Sequence, residues 1–371
     1  MTMNLRHAAG SLLVVGLAGT ELTGLERAWL KLVRPSGIIL FRRNISDPAQ
    51  ARALLAQATA FCNPNSIRCV DVEGGTVDRL RDALAPMPSV QAVALAAENT
   101  GKLSLIHQHG ELIARAVKAF GFNTSLAPVV DLALPISAKV MGSRVAAPTA
   151  AGTVLYARNF LAGLAAHGVA GCGKHFPGLG GGTLDSHLDT PTIARSAREI
   201  WNTDLVPYRE LHAQMPIVMI NHAAYPDTPG KGVPASASKY WITSVLRKRI
   251  GYRGIVLSDD LEMGGILKFL PIDEAAVQTI RAGSDLSAIC HSPELTLRAY
   301  EALITEGERS AAFRKLLLAR AAQSAHQLKK LYAGRATPAL TPKQFDALRT
   351  RVLRFGQTIA AVQPPSWTPQ S

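Results

Sequence analysis

The chain has 371 residues, 47% of them hydrophobic, and carries 40 lysines and arginines against 27 aspartates and glutamates, a formal charge of +13. Such a chain can bury a large core, and an α/β barrel takes about 250 residues or more as one domain. No run of about 18 uncharged apolar residues occurs, so no membrane span and no membrane partner are expected. Cys62, Cys69, Cys172 and Cys290 are scattered without metal-ligand spacing. Three of them lie in apolar, strand-like runs, which fits reduced thiols packed as small hydrophobes and a cytoplasmic location.

In chain order, Arg6 and His7 followed by AAGSLLVVGLAG carry the pattern of a signal peptide. The preferred reading is that residues 11–17 form a buried first strand, with a helix beginning near Thr20 and Glu21. Removing that run would leave one strand too few in the series that follows. Further short apolar runs occupy 37–41, 67–72, 124–127, 169–174, 217–221, 254–258 and 285–290. Most are rich in Val, Ile and Leu, as strands buried on both faces should be. Amphipathic stretches at 48–61, 108–120, 147–167 and 240–250 lie between them. Eight strands alternating with helices predict a parallel sheet closed as a TIM-type (β/α)8 barrel; a doubly wound open sheet is the alternative. Beyond residue 295 the pattern is helical through 332. A single barrel domain with its terminal helices is expected over 1–332, then a linker, a helix at 342–362 and a disordered tail.

Basic residues gather at Arg247, Lys248, Arg249 and Arg253, and again at Arg314, Lys315, Arg320, Lys329, Lys330 and Arg335. That balance would suit an anionic ligand or nucleic acid. The clusters sit on helical stretches with interleaved apolar positions and no aromatic stacking platform. They are read as solvated helix faces, with no nucleic-acid partner.

A barrel keeps its chemistry at the C-terminal ends of its strands. There the sequence places Asp71 and Glu73, Lys174 and His175, Asn221 and His222, Asp259 and Asp260, and His291. The most informative stretch is KHFPGLGGGTLDSH (174–187). It sets a cation and an imidazole at a strand end, then a glycine-rich loop, then Asp185 and His187 two residues apart. That spacing lets a carboxylate orient an imidazole and stabilise its protonated form; a solvated surface loop is the plain alternative. IVLSDDLEM (255–263) ends an apolar strand in two carboxylates. Asp260 suits a helix cap, which leaves Asp259 as the candidate nucleophile. A metal site is not expected, since Lys174 and nearby arginines oppose it and no familiar ligand spacing is present. In VDVEGGTVDRL (70–80), Asp71 and Arg79 suit the hydroxyls of a sugar, or else belong to a tight turn and a surface charge. His222 and His291 are given no role, and Lys174 and His175 could equally serve a cap or an ion pair.

Taken together, GIILFRRN (37–44), DVEGGTVDRL (71–80), APVVDL (127–132), MGSR (141–144), KHFPG…DSH (174–187), SDDLEM (258–263) and AGSDL (282–286) resemble family 3 glycoside hydrolases. The likeness is to the single-domain β-N-acetylhexosaminidases that many bacteria use in peptidoglycan recycling. The resemblance implies that Asp259 attacks the anomeric carbon and that His187, held by Asp185, is the acid/base. It implies that Asp71, Arg79, Arg144, Lys174 and His175 hold the sugar. It further implies a retaining exo-hydrolase acting on N-acetylglucosaminyl glycans or muropeptides, without metal or organic cofactor; a monomer is expected. A β-glucosidase, xylosidase or glycosyl phosphorylase on the same barrel is the alternative, and a silent carbohydrate-binding homologue a third. Departures from the family pattern fall at Leu179, where a histidine is usual, at Gly181, Thr76 and Val72, and after Arg144. They bear on loop mobility and leaving-group preference, and none removes a catalytic residue.

Overall fold

In a computed structural model that describes residues 4–182, 191–335 and 338–362, ten strands follow in chain order. They are β1 Leu13–Gly16, β2 Gly37–Leu40, β3 Ile67–Val70, β4 Val72–Gly74, β5 Val77–Asp78, β6 Thr124–Ser125, β7 Ala170–Phe176, β8 Ile217–Ile220, β9 Ile255–Asp260 and β10 Leu286–Ile289. Eight of them close a parallel barrel in the order β1-β10-β9-β8-β7-β6-β3-β2, and β4 pairs with β5 in a separate antiparallel hairpin. Every barrel strand expected from the sequence is present, and the first apolar run is β1, hydrogen-bonded to both β2 and β10.

Alternation along the strands explains both the core and the site above it. Successive side chains point to opposite sides of a strand, so every second residue enters the barrel. The inner layers hold Ile67 and Cys69, Ala170 and Cys172, Ile217 and Met219, and Ile255 and Leu257, all nearly or fully buried. The same period of two, continued past these pairs, reaches Asp71 after Cys69, Lys174 after Cys172 and Asp259 after Leu257. Polar chemistry thus begins where the apolar filling stops. The opposite end is closed by the helix Ala311–Tyr332, whose Leu328 and Tyr332 join the interior cluster. The Tyr332 hydroxyl lies 2.5 Å from Thr124 Oγ1 at the start of β6.

Helix boundaries follow local chemistry. Thr23 and Glu26 form a reciprocal capping box at the head of Gly24–Val33, and Asp47 caps Pro48–Thr59 with proline in its first turn. Each such cap contributes about 1 kcal/mol. The helical stretch beyond 295 is two helices, Pro293–Arg309 and Ala311–Tyr332, because Ser310 leaves the helix and caps the second with its side chain. The helix Pro342–Val362 has the expected bounds and buries Leu348, Val352, Phe355 and Ile359. The expected tail lies outside the described residues.

Three details differ from the sequence reading. Strands β7 and β9 run on through Phe176 and Asp260, so Lys174, His175 and Asp259 belong to the strands and inherit their rigidity. The hairpin β4–β5 was not anticipated, because its strands are too short to show alternation. Asp260 is not a helix cap: the next helix starts at Gly264 behind Met263, and Asp260 Oδ1 instead accepts from the Glu262 and Cys290 amides at 3.1 and 3.2 Å.

Candidate active site

At the C-terminal end of the barrel a pocket of about 190 Å³ is lined by Asp71, Arg79, Arg144, Lys174, His175 and Asp259. The structure therefore brings together six of the eight residues singled out for the site. The other two, Asp185 and His187, lie outside the described residues. Larger grooves exist elsewhere, one of about 920 Å³ between Ile272–Ala282 and Pro293–Arg309, but it is lined by residues such as the surface pair Arg298 and Asp273 and by none of these six.

Glu73, fully buried, is the centre of the pocket's charge network. Arg144 donates to it in a fork, Nε to Oε2 at 2.8 Å and Nη2 to Oε1 at 2.9 Å. Lys174 Nζ lies 2.6 Å from Glu73 Oε1 and 2.8 Å from Asp71 Oδ1. Burial by itself would raise the Glu73 carboxyl, but the Lys174 and Arg144 charges outweigh it and hold the group far below the usual carboxylate range. For the same reason Lys174 is pushed above its ordinary value, the charges of Asp71 and Glu73 overcoming the cost of burial. Glu73, Lys174 and Arg144 are thus charged at neutral pH, each held by the others' hydrogen bonds.

The β4–β5 hairpin delivers Arg79. Its turn needs Gly74 at φ +97°, and a Cβ there would sit 2.1 Å from the Pro88 carbonyl oxygen. Asp78 locks the far side by accepting from the Leu80 and Met87 amides, each at 3.0 Å. The Arg79 guanidinium faces the Phe41 ring at 5.9 Å, and its buried Nε has no acceptor among the described residues. Among the described residues Arg79 has no carboxylate partner, unlike Lys174 and Arg144.

Asp131, to which the sequence reading gave no role, joins two parts of the site. Its Oδ2 accepts from the His175 ring at Nδ1 (2.7 Å) and from the His175 amide (3.2 Å). Its Oδ1 accepts from the Leu179 amide at 2.7 Å. One buried carboxylate therefore fixes both the imidazole at the end of β7 and the first turn of the glycine-rich loop. Gly178 packs so closely there that a Cβ would lie 2.6 Å from Asp204 Cβ. Leu179 lines the pocket as an apolar wall. The signal for Asp131 was present in APVVDL, an apolar strand closing on a carboxylate, but its two partners are 44 and 48 residues away.

Asp259, next to last in β9, lines the pocket. Burial would raise its carboxyl, but His175, His222, the Asp260 amide and Lys174 together bring it below its ordinary value, so it is an ionised carboxylate at neutral pH. Its neighbour behaves oppositely. Burial, with repulsion from Glu262 and Asp259, pushes Asp260 up to about 7. His222 is buried between the Ser236 hydroxyl (2.7 Å) and the Asp260 carbonyl (2.9 Å), and so braces the end of β9. His291 is half exposed at the rim, with Nε2 3.5 Å from Asp260 Oδ2 and Nδ1 3.0 Å from Arg43. Asp260, Glu262 and His291 form one group of metal-ligand type. Glu262 there already accepts from the Cys290, His291 and Ser292 amides.

A strand-end carboxylate sharing a small pocket with a Lys–Glu–Arg network is an arrangement for gripping a polyhydroxylated ring. Comparison with known proteins agrees. Residues 5–318 match the glycosyl hydrolase family 3 N terminal domain. A β-hexosaminidase of Alkalilimnicola ehrlichii is 38% identical over 285 residues, 76% of this chain and 81% of that protein. The structure of a family 3 β-N-acetylglucosaminidase from Paenibacillus sp. superposes with a TM-score of 0.85 at 29% identity, covering 95% of this chain and 69% of that one. NagZ from Neisseria gonorrhoeae superposes with a TM-score of 0.80 at 29% identity, covering 93% and 98%. The chain belongs to glycosyl hydrolase family 3 and is a glycoside hydrolase on a single (β/α)8 barrel.

Proposed function

We propose that the protein is a retaining exo-β-N-acetylhexosaminidase that releases terminal N-acetylglucosamine from peptidoglycan-derived glycans through a covalent glycosyl-enzyme. The observation that carries this reading is Asp259, kept ionised in a pocket that it lines together with Asp71, Glu73, Arg144 and Lys174. A pocket of about 190 Å³ falls below the range of about 300–1,000 Å³ usual for drug-sized ligands. It suits one terminal sugar ring with the rest of the glycan outside, hence exo-action. The names of the similar proteins, β-hexosaminidase and β-N-acetylglucosaminidase, support the sugar.

In the first step Asp259 attacks the anomeric carbon as the leaving oxygen takes a proton from His187. In the second step His187 removes a proton from water, which displaces Asp259 with a second inversion and so net retention. Histidine suits this double duty because its ordinary pKa is about 6.5. Asp185 fixes its tautomer. Asp71, Lys174 and Arg144 hold the ring hydroxyls with charges that need not reorganise during the reaction, and Arg79 supplies a donor at the mouth. No step calls for a metal or an organic cofactor. The four free, buried thiols support a reducing, cytoplasmic setting.

The test is hydrolysis of p-nitrophenyl β-N-acetylglucosaminide and the matching β-glucoside, with and without phosphate, the first product being read by proton NMR. Turnover of the N-acetyl substrate to a β-anomer supports the reading. Turnover of the glucoside alone, or a sugar phosphate formed only with phosphate, assigns the chain to a glucosidase or a phosphorylase. No turnover of either leaves a binding protein.

A further inference from the structure

The two basic clusters that the sequence reading took for separate solvated helix faces meet in space. At the end of the barrel opposite the pocket, where β8 and β9 begin, two adjoining grooves of about 750 and 450 Å³ share Arg253 and Gln323 beside the helix Ala311–Tyr332. Arg247, Lys248, Arg253, Arg320, Lys330 and Arg335 line them, and no acidic side chain does. Two of the six are neutralised from behind, since Arg247 and Arg320 both reach Asp285. The other four are exposed. Among the described residues, Arg253 and Arg335 donate only to the backbone carbonyls of Arg247 and Gly168, and neither Lys248 nor Lys330 has a carboxylate partner.

A plain account of such residues is that they offset helix C-termini, and Lys248 and Lys330 do sit in the last turns of Tyr240–Ile250 and Ala311–Tyr332. Each helix end carries about half a negative charge. Two of them balance about one cation, not four. The surplus is also gathered: it lines the track of two adjoining grooves, and an arginine fork can grip phosphate oxygens in pairs. The track offers no aromatic face for bases, because Tyr252 and Tyr332 are buried. It has no exposed apolar wedge to enter a bilayer.

We propose that this groove binds a linear chain of phosphate groups, as in an inorganic oligophosphate, at a site separate from the hydrolytic pocket. The proposal does not depend on which sugar the enzyme cleaves. It is tested by calorimetric titration of the full chain with tripolyphosphate in low and moderate salt. Lys330→Glu/Arg335→Glu should weaken binding by more than about tenfold and leave aryl-glycoside hydrolysis unchanged. The charge-matched Lys343→Glu/Arg354→Glu on the helix Pro342–Val362 should leave affinity within about twofold, which separates the groove from net charge. The milder Lys330→Ala should give a smaller loss in the same direction. No binding of tripolyphosphate, or an equal loss in the Lys343/Arg354 variant, would overturn the proposal. Binding at least tenfold tighter to oligo-deoxythymidine, or to phosphatidylglycerol vesicles, would also overturn it and move the groove to nucleic acid or membrane.

Discussion

The two ends of the barrel treat positive charge in opposite ways. At the C-terminal mouth, Lys174 is 3% exposed and shares Glu73 and Asp71, and Arg144 forks onto the same buried Glu73. At the N-terminal end, Lys248, Arg253, Lys330 and Arg335 line an open groove without a carboxylate. The first arrangement fixes geometry: its cations cannot move, and salt, which screens over about 8 Å in water, hardly reaches them. The second creates an attractive field that salt should erase. Catalysis and groove binding should therefore separate cleanly as ionic strength rises, hydrolysis staying flat while oligophosphate affinity falls.

Substitutions at the mouth sharpen that contrast. His187→Ala should lower kcat/KM by about 10³-fold on a substrate with a poor leaving group, and by much less on a nitrophenyl glycoside that departs without a proton. An equal loss on both would remove His187 from the acid/base role. Glu73→Gln takes the shared anion from the buried Lys174 and the partly buried Arg144, and breaking a buried pair costs about 3–5 kcal/mol. The variant should melt well below wild type by calorimetry. An unchanged melting temperature would mean that the Lys–Glu–Arg network does not hold the barrel mouth.

Asp131→Asn should lower kcat by about 10- to 100-fold, the scale of a misplacement near 1 Å, with a smaller change in melting temperature. It keeps an acceptor for one partner but sets an amide N–H₂ against the other. Loss of stability without loss of kcat would make Asp131 a packing residue only.

The smallest effect concerns Asp260. Its folded pKa of about 7 lies above the ordinary value of 3.8. The unfolded chain therefore releases this proton first, so Asp260 leaves stability untouched below pH 3.8 and costs progressively more as pH rises to about 7. Asp260→Asn retains the acceptor for the Glu262 and Cys290 amides. It should melt close to wild type at pH 4 and a few degrees higher at pH 8. The reverse ordering would contradict the assignment of burial and repulsion at this group.

What was legible in the sequence follows from periodicity. Strands buried on both faces are short apolar runs, and the residue that breaks the run is the one that reaches the pocket. Asp71, Lys174 and Asp259 were visible for that reason. Asp131 carried the same mark, but what gives it meaning is contact with His175 and Leu179, which alternation along one strand cannot encode. Glu73 was noticed only as a strand-end acid. Its position between Lys174 and Arg144 depends on the two-residue β5 folding β4 back over the mouth. The groove was hidden for the opposite reason. Each cluster looked like an ordinary solvated helix face, and only the passage of Ala311–Tyr332 beneath the barrel sets them side by side.

The most direct test of the proposed mechanism is the fate of Asp259→Ala with azide. Hydrolysis of p-nitrophenyl β-N-acetylglucosaminide should fall by about 10⁴-fold, with the fold intact by circular dichroism. Added azide should then restore turnover and yield the α-glycosyl azide, because a small nucleophile enters from the face that the missing carboxylate occupied. Hydrolysis near the wild-type rate, or a β-glycosyl azide, would contradict Asp259 as the nucleophile.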